Sequence, residues 1–464
     1  MSGFATRRNF FQRINLALTG FVFTRALPFQ KAVAAHAPVS EPADYYDKLG
    51  LTKTINAAGT YTYLTGALMP PSVQAAVAQA AKYPVFLEDL QKAAGEYLAR
   101  KLRCEAAMVT AGAASAVTLA TAACMTIANG PSASHSMPTD VNGLKNEVIV
   151  QKAHRYDYDH AMRNCGIRFV DVETLPEYQS AFNPNTVMCF FYNAADAGQI
   201  SREDWIRVAH THGVPCLNDA AADVPPISNL WNYTQMGFDL VAFSGGKGIR
   251  GPQNAGLLLG RTNLIAAATK NNSPNDDAVG RGMKVAKEQI VGMVAAVDWF
   301  LSQSDAEFEA EFRRRADRIA AALKDIPTLT SEMLIPPIAN NVPHLVIRYD
   351  QHRVKISPKE VATQLRAGTP SIELNPATGS TQASAGIPRD ANKIVVGVWM
   401  LEPGEDVIVA RRLRHVPPQP TLAQTAARDA RHAPKSAAAQ ATGSAPRPYT
   451  MSASKNAPQA PRYS

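Results

Sequence analysis

The sequence predicts a doubly wound α/β domain on a mainly parallel seven-stranded sheet, followed by a smaller α+β domain. Three observations carry this. Short apolar runs alternate with helical stretches between residues 106 and 260. The runs are continuous rather than alternating in polarity, as a parallel sheet buried on both faces requires. After Arg281 the texture changes to two long helical stretches and then a shorter mixture of strands and helices.

Taken in order, residues 107–110 form a first strand that runs into Gly112-Ala113-Ala114-Ser115 and a helix of small and apolar residues to Ile127. Strands follow at 147–150, 167–172, 187–192, 214–218, 240–243 and 256–259, with helices at 157–164 and 202–212 between them. Strands separated by helices imply a doubly wound sheet. Helices at 284–302 and 306–326 lead into a strand at 344–349, a helix at 358–367, a strand at 393–400 and a closing helix at 403–414. The chain therefore divides into a leader (1–37), a helical N-terminal segment with an extended start that packs partly on the small domain (38–104), the large domain (105–282), linking helices with the small domain (283–415) and a tail (416–464). There is no internal repeat.

The chain has 464 residues, 46% hydrophobic and 19% charged. That excludes a disordered chain, a collagen-like fibre and a small disulfide scaffold. No uninterrupted apolar run reaches the roughly 18 residues of a membrane span. The net charge of +8 comes from the two ends. Arg7, Arg8, Arg13, Arg25 and Lys31 stand without an acid in the leader, and the tail carries six Lys or Arg against Asp429. The body between them is slightly acidic, which argues against a nucleic-acid partner.

The leader reads Arg7-Arg8-Asn9-Phe10-Phe11 and then a moderately apolar stretch from Ile14 to Phe23. This looks like a twin-arginine export signal, with Ala32-Val33-Ala34 as the cleavage site, and predicts a periplasmic or exported protein. Without export the protein is cytoplasmic. The Ala-, Pro- and Ser-rich tail cannot bury enough surface to offset its ordering entropy and reads as disordered. Cys104, Cys124, Cys165, Cys189 and Cys216 have no metal-ligand spacing and read as buried free thiols, so no metal site is expected.

Four features can carry chemistry. Lys247 sits among glycines in Ser244-Gly245-Gly246-Lys247-Gly248, immediately after a buried strand. A lysine there lies in the crevice where α/β sheets bind ligands; a solvated surface turn is the alternative. Asp219 stands between a buried strand and Ala220-Ala221-Ala222, as a functional carboxylate or as a helix cap. Gly112, Ala113 and Ala114 open an apolar helix, either to expose N–H groups to an anion or to pack tightly against another helix. His154 follows the second strand, as a site residue or a structural one.

The four lie at predicted C-terminal strand ends, in the order small-residue helix start, His, Asp, Lys. This resembles the fold-type I enzymes that use pyridoxal 5′-phosphate. Ile55-Asn56-Ala57-Ala58-Gly59-Thr60, Asp219-Ala220-Ala221-Ala222, the Ser244–Gln253 loop and Gly280-Arg281-Gly282-Met283-Lys284 are similar to segments of the selenocysteine synthase-like group. That group includes seryl-tRNA selenium transferase and D-glucosaminate-6-phosphate ammonia-lyase. The resemblance spans about residues 44–415. It implies that Lys247 carries the cofactor as a Schiff base and Asp219 pairs with the pyridine nitrogen. It further implies that His154 covers the ring, and that Gly112, Ala113, Ala114 and Ser244 help to bind the cofactor.

The implied activity is that of a lyase or β-replacing enzyme acting on a small amine or amino acid, in a dimer or higher homo-oligomer. A class-V-like aminotransferase and a non-catalytic exported protein retaining the fold are the alternatives. Two departures stand out. Relatives often place an Arg after a Pro-x-Ile strand to hold a substrate carboxylate; here Pro370-Ser371-Ile372 is followed by Glu373, which argues against an ordinary α-amino acid. The leader also stands where the selenium transferase would have its tRNA-binding region.

Overall fold

The structure is a computed structural model that describes residues 44–194, 198–337, 339, 341–382 and 386–416. The expected export signal, and the expected tail apart from Val416, lie outside the described residues. Residues up to Lys53 form a unit of their own. In it Asp44 caps the short helix Tyr45–Lys48 and pairs with Lys53 at 2.5 Å.

From Thr54 onward the described chain forms one compact unit. Its strands are β1 (Thr54–Ala57), β2 (Ala106–Thr110), β3 (Glu147–Gln151), β4 (Arg168–Val172), β5 (Thr186–Tyr192), β6 (Cys216–Asp219), β7 (Leu240–Ser244), β8 (Gly256–Gly260), β9 (Thr330–Leu334), β10 (His344–Arg348), β11 (Ser371–Leu374) and β12 (Lys393–Val396). Seven of them form the large sheet, in the order β2-β8-β7-β6-β5-β3-β4. β8 runs antiparallel to both neighbours, and the other pairs are parallel. Strands β2, β3, β5, β6 and β7 therefore end on the same side.

Each strand feeds two cores. Met188 and Phe190 of β5 face the helix Ala113–Asn129, together with Leu240 and Ala242 of β7. Cys189 and Phe191, with Val241 and Phe243, face Trp205, Leu230, Ile290 and Met293 from helices on the other side. This is why the strands read as unbroken apolar runs: period-two alternation puts an apolar group on both faces. The helix Ala113–Asn129 is small-residue-rich because it is buried along most of its length.

The C-terminal part has its own core around Phe312, Ile319, Leu345, Ile347, Ile394 and Trp399. β10 lies between β9 and β12 in an antiparallel sheet. β1 pairs in parallel with β11, Thr54 opposite Ser371, so the extended start of the N-terminal segment does join this part. The helices Pro71–Ala80 and Leu87–Lys101 pack instead on the helix Lys287–Leu301, the latter also on β2. The strand expected over 393–400 ends at Val396, where Gly397 N–H turns to Ala57 C=O at 2.7 Å and Val398–Met400 becomes a short 3-10 turn.

Gly256 opens β8 with the Gly112 backbone directly above it. A Cβ there would lie 2.5 Å from the Gly112 carbonyl carbon and 2.8 Å from Ala113 N. Both neighbours are main chain and cannot rotate aside. Gly256→Ala is therefore expected to lower stability by about 1–3 kcal/mol through overpacking. Gly282→Ala, with nothing within 4 Å of its new methyl, is the control. Equal melting temperatures for the two variants would show that the Gly112 turn yields.

Candidate active site

The strand ends bring the expected residues to one edge of the large sheet. Asp219 closes β6 and Ser244 closes β7. Lys247 lies in the loop between β7 and β8, Gly112 precedes the helix after β2, and His154 ends the 3-10 turn after β3.

The Lys247 loop is folded back on itself by Gly251 N–H to Gly245 C=O at 2.7 Å and Arg250 N–H to Lys247 C=O at 2.9 Å. Ala67 N–H donates to Gly246 C=O at 2.9 Å, so the chain's own segment around Gly66 covers the loop. Arg250 ties it to the C-terminal part through Trp399 C=O and Glu402, both at 3.2 Å. Lys247 keeps some exposure as a residue, yet its amine is desolvated. Burial lowers its pKa, and the charges of Asp219 and Asp223 pull it back up.

Asp219 accepts hydrogen bonds on both oxygens, from Ala221 N–H at 3.0 Å and from the Tyr156 hydroxyl at 2.6 Å. No helix begins at Ala220, so the carboxylate caps a turn and not a helix. Burial raises its pKa; the two donors and the Lys247 charge oppose the rise. Tyr156 also packs on Tyr192, with ring centroids 4.2 Å apart.

His154 is buried, edge-on to Phe191 at 4.4 Å, and its Nδ1 faces Tyr192 N–H at 3.3 Å. Burial, with the Arg202 charge adding to it, lowers its pKa to about 4 and keeps the imidazole neutral. The ring in direct contact with Asp219 is Tyr156, two residues further on.

Gly112 has φ +89, a conformation that favours glycine, and no side chain caps the helix that follows. Ala116 makes the first intrahelical bond, to Gly112 C=O at 3.0 Å, which leaves the N–H groups of Ala113, Ala114 and Ser115 free of helical partners. The Ser115 hydroxyl is buried and has no partner among the described residues. Free N–H groups, an orphaned hydroxyl and the positive end of a long helix dipole make an anion cup. With Lys247 and Asp219 on the same edge, the site fits a phosphorylated pyridine: pyridoxal 5′-phosphate.

Sequence reasoning missed Tyr156, Asn193, Arg202 and Asp223. Asp223 is buried and accepts from Asn193 Nδ2 at 2.6 Å and from the Tyr233 hydroxyl at 3.0 Å. Arg202 Nε donates to Asn193 Oδ1 at 2.7 Å. The available signal was the second carboxylate four residues after Asp219, beyond the run of alanines.

Burial pushes the Asp223 carboxyl up from 3.8 to about 6. The fold therefore binds this proton more tightly than the unfolded chain does. Its stabilising contribution is full below about pH 4 and is lost as pH rises to about 6, by the linkage of proton binding to folding. The total is about 3 kcal/mol for a shift of this size. Asp223→Asn cannot ionise. Its stability relative to wild type, measured on apoprotein by urea unfolding, is expected to improve between pH 4 and pH 7. A pH-independent difference would refute the assignment.

No protein-family model matches the chain. The sequence is 27% identical over 388 residues to D-glucosaminate-6-phosphate ammonia lyase of Salmonella typhimurium, covering 80% of this chain and 97% of that enzyme. A solved structure of D-glucosaminate-6-phosphate ammonia-lyase matches with a TM-score of 0.68 at 26% identity, again covering 80% and 97%. The 5′-C-glycyluridine monooxygenase-decarboxylase of a Streptomyces species is 29% identical over 343 residues, covering 71% of this chain and 83% of that one. The L-seryl-tRNA(Sec) selenium transferase of Aquifex aeolicus is 26% identical over 234 residues, 42% of this chain and 49% of that one. By sequence and by fold, the chain is a relative of the pyridoxal-phosphate-dependent fold-type I enzymes of the selenocysteine synthase-like group.

Proposed function

We propose that this chain is a pyridoxal-phosphate-dependent lyase or β-replacing enzyme acting on a small molecule that bears an amino group. The carrying observation is Lys247 in its glycine loop, within the field of Asp219 and Asp223, on the sheet edge that also holds the uncapped helix start. Lys247 Nζ would hold the cofactor covalently, and Asp219 would pair with its pyridine nitrogen. The N–H groups after Gly112, through Ala113 and Ala114, would take the phosphate with the hydroxyls of Ser115 and Ser244. His154, neutral, would wall the ring.

When bound, the cofactor supplies an electron sink for bonds broken next to the substrate nitrogen. Lys247 would take the proton from the carbon next to the substrate amine. Burial lowers its pKa, which favours the neutral amine that can act as a base. Lys247 then returns the proton to the group leaving from the β-carbon. Tyr156 and Ala221 N–H both donate to Asp219, which favours its ionised form against burial, and that charge would favour a protonated pyridine nitrogen.

A second copy of the chain completes the cleft in this proposal. Tyr63 and Leu68 on and beside the covering segment, and Tyr83, Val85 and Phe86 in the connector between the two helices after it, are exposed large hydrophobics, a surface that association would bury. In the same reading, the paired arginines Arg7 and Arg8 of the leader serve export of the folded enzyme.

Lys247→Ala is expected to abolish the visible absorbance of covalently bound cofactor and its sensitivity to borohydride; persistence of both would remove Lys247 from the site. Asp219→Asn should keep the absorbance but slow turnover by about 100-fold or more, roughly 2.7 kcal/mol of transition-state stabilisation. Wild-type turnover in that variant would sink the role of Asp219. Ammonia release without an added keto acid is the expected reaction, and light scattering on the same holoenzyme should give at least a dimer mass. For the leader, changing Arg7 and Arg8 together to Lys is expected to block export of a folded reporter fusion. Unchanged export would overturn the twin-arginine reading.

A further inference from the structure

A substrate held at Lys247 by its amine needs a second point of fixation. Glu373, at the place where relatives often carry a carboxylate-binding Arg, is paired with Arg366 at 3.5 Å and is itself an anion. The cation must come from elsewhere. Arg250 is committed to Glu402 and Trp399 C=O, and Arg155 to Asp159 and Asp171. Arg202 differs. Its guanidinium lies 5.7 Å from the centre of the Phe191 ring, and only Nε is engaged, with Asn193. Its two terminal nitrogens make no hydrogen bond among the described residues.

Arg202 lines a polar cavity of about 220 Å³ with Asn193, Asp223, Asn229, Tyr233 and Asn341. The cavity is built rather than incidental. Asn193 is fixed at both ends of its amide, giving Nδ2 to Asp223 and presenting Oδ1 to Arg202. Tyr233 donates to the same Asp223 oxygen, Oδ2, as Asn193 does, and Asn229 Nδ2 donates to the Asp223 backbone carbonyl at 2.8 Å. The remaining Asp223 oxygen, Oδ1, is buried and unpartnered among the described residues. Arg202 and Asp223 do not bond each other directly; Asn193 holds them apart. The cavity adjoins the catalytic edge: Asn193 N–H donates to Asp219 C=O at 3.2 Å, and Asp223 N–H to Ala220 C=O at 3.1 Å.

We propose that Arg202 is the oxyanion subsite of this active site, and that the substrate is an amine that also carries a carboxylate or phosphate group, which the two free guanidinium nitrogens grip. A planar fork backed by an aromatic face is suited to two parallel hydrogen bonds to such a group. The proposal rests on the lyase reading for the amine half of the substrate; the anion half stands on Arg202 and its network.

The test is calorimetric titration of the holoenzyme with inorganic phosphate and, separately, with acetate, the cofactor's own phosphate site being filled. Wild type is expected to bind at least one of the two, and Arg202→Gln to weaken that binding by about tenfold or more, the loss of one charge-assisted contact. Arg202→Lys should recover part of it. Which anion binds more tightly separates phosphate-bearing from carboxylate-bearing substrates. The visible band of the cofactor should be unchanged in both variants, which controls for folding. A wild type that binds neither anion, or an Arg202→Gln variant that binds like wild type, overturns the proposal. A chain that shows Arg202-dependent anion binding but never acquires the cofactor band keeps the anion site and loses the lyase reading.

Discussion

An amine withdrawn from water beside two buried carboxylates constrains the rest of this molecule. Burial disfavours each charge taken alone: it lowers the pKa of Lys247 and raises those of Asp219 and Asp223. Mutual attraction opposes both shifts, but one cation cannot neutralise two anions. The balance falls to neutral donors. Tyr156 and Ala221 N–H serve Asp219, while Asn193 and Tyr233 serve Asp223. The donors do not fully offset burial at Asp223, whose carboxyl is pushed up to about 6.

These donors come from separate stretches of chain, and the strand order is what gathers them. β6 lies between β5 and β7, with Tyr192 opposite Asp219 on one side and Ala242 opposite it on the other. Asn193 follows the end of β5, and the Lys247 loop follows the end of β7. A register slip of one residue in β6 would turn Asp219 to the opposite face and away from Tyr156. The apolar alternation that fills the two cores thus also aims the carboxylate. Stability and chemistry are specified by the same pattern, which is why the polar residues at strand ends stand out against it.

That contrast explains how much could be read from the residues alone. The strands of the large sheet announce themselves because burial on both faces demands continuous apolar runs. β9 does not, because its residues are exposed or half-buried and carry no such pattern. Lys247 and Asp219 were legible as charged residues abutting apolar strands, where packing gives them no reason to be. Tyr156 was not: a tyrosine near a strand end has many ordinary explanations, and its partner is 63 residues away. The Asn193–Asp223 bond spans 30 residues and was equally invisible. The orphaned Ser115 hydroxyl can be seen only in three dimensions, since it is defined by what its surroundings lack.

Charge is distributed unevenly around the Lys247 loop, and this bears on how a substrate must lie. On one side the segment 62–67 rests on the loop, and Tyr63 within it is held near Glu373 of β11. Burial, reinforced by Glu373, pushes the Tyr63 hydroxyl up to about 12, so that wall offers a neutral phenol and a carboxylate but no free cation. Arg366 pairs with Glu373 there without reversing its sign, being largely exposed to solvent while Glu373 is mostly buried. The edge at β5 carries the opposite character, through Arg202 above Phe191. A molecule bearing an amine and an oxyanion meets repulsion in one orientation and a complementary field in the other. On the proposed reading, relocating the cation from β11 to the helix after β5 would turn the substrate end for end about its amine, while leaving Lys247 to act on the same carbon. On this argument the same catalytic pair can serve substrates of different shape, and the position of one guanidinium selects among them.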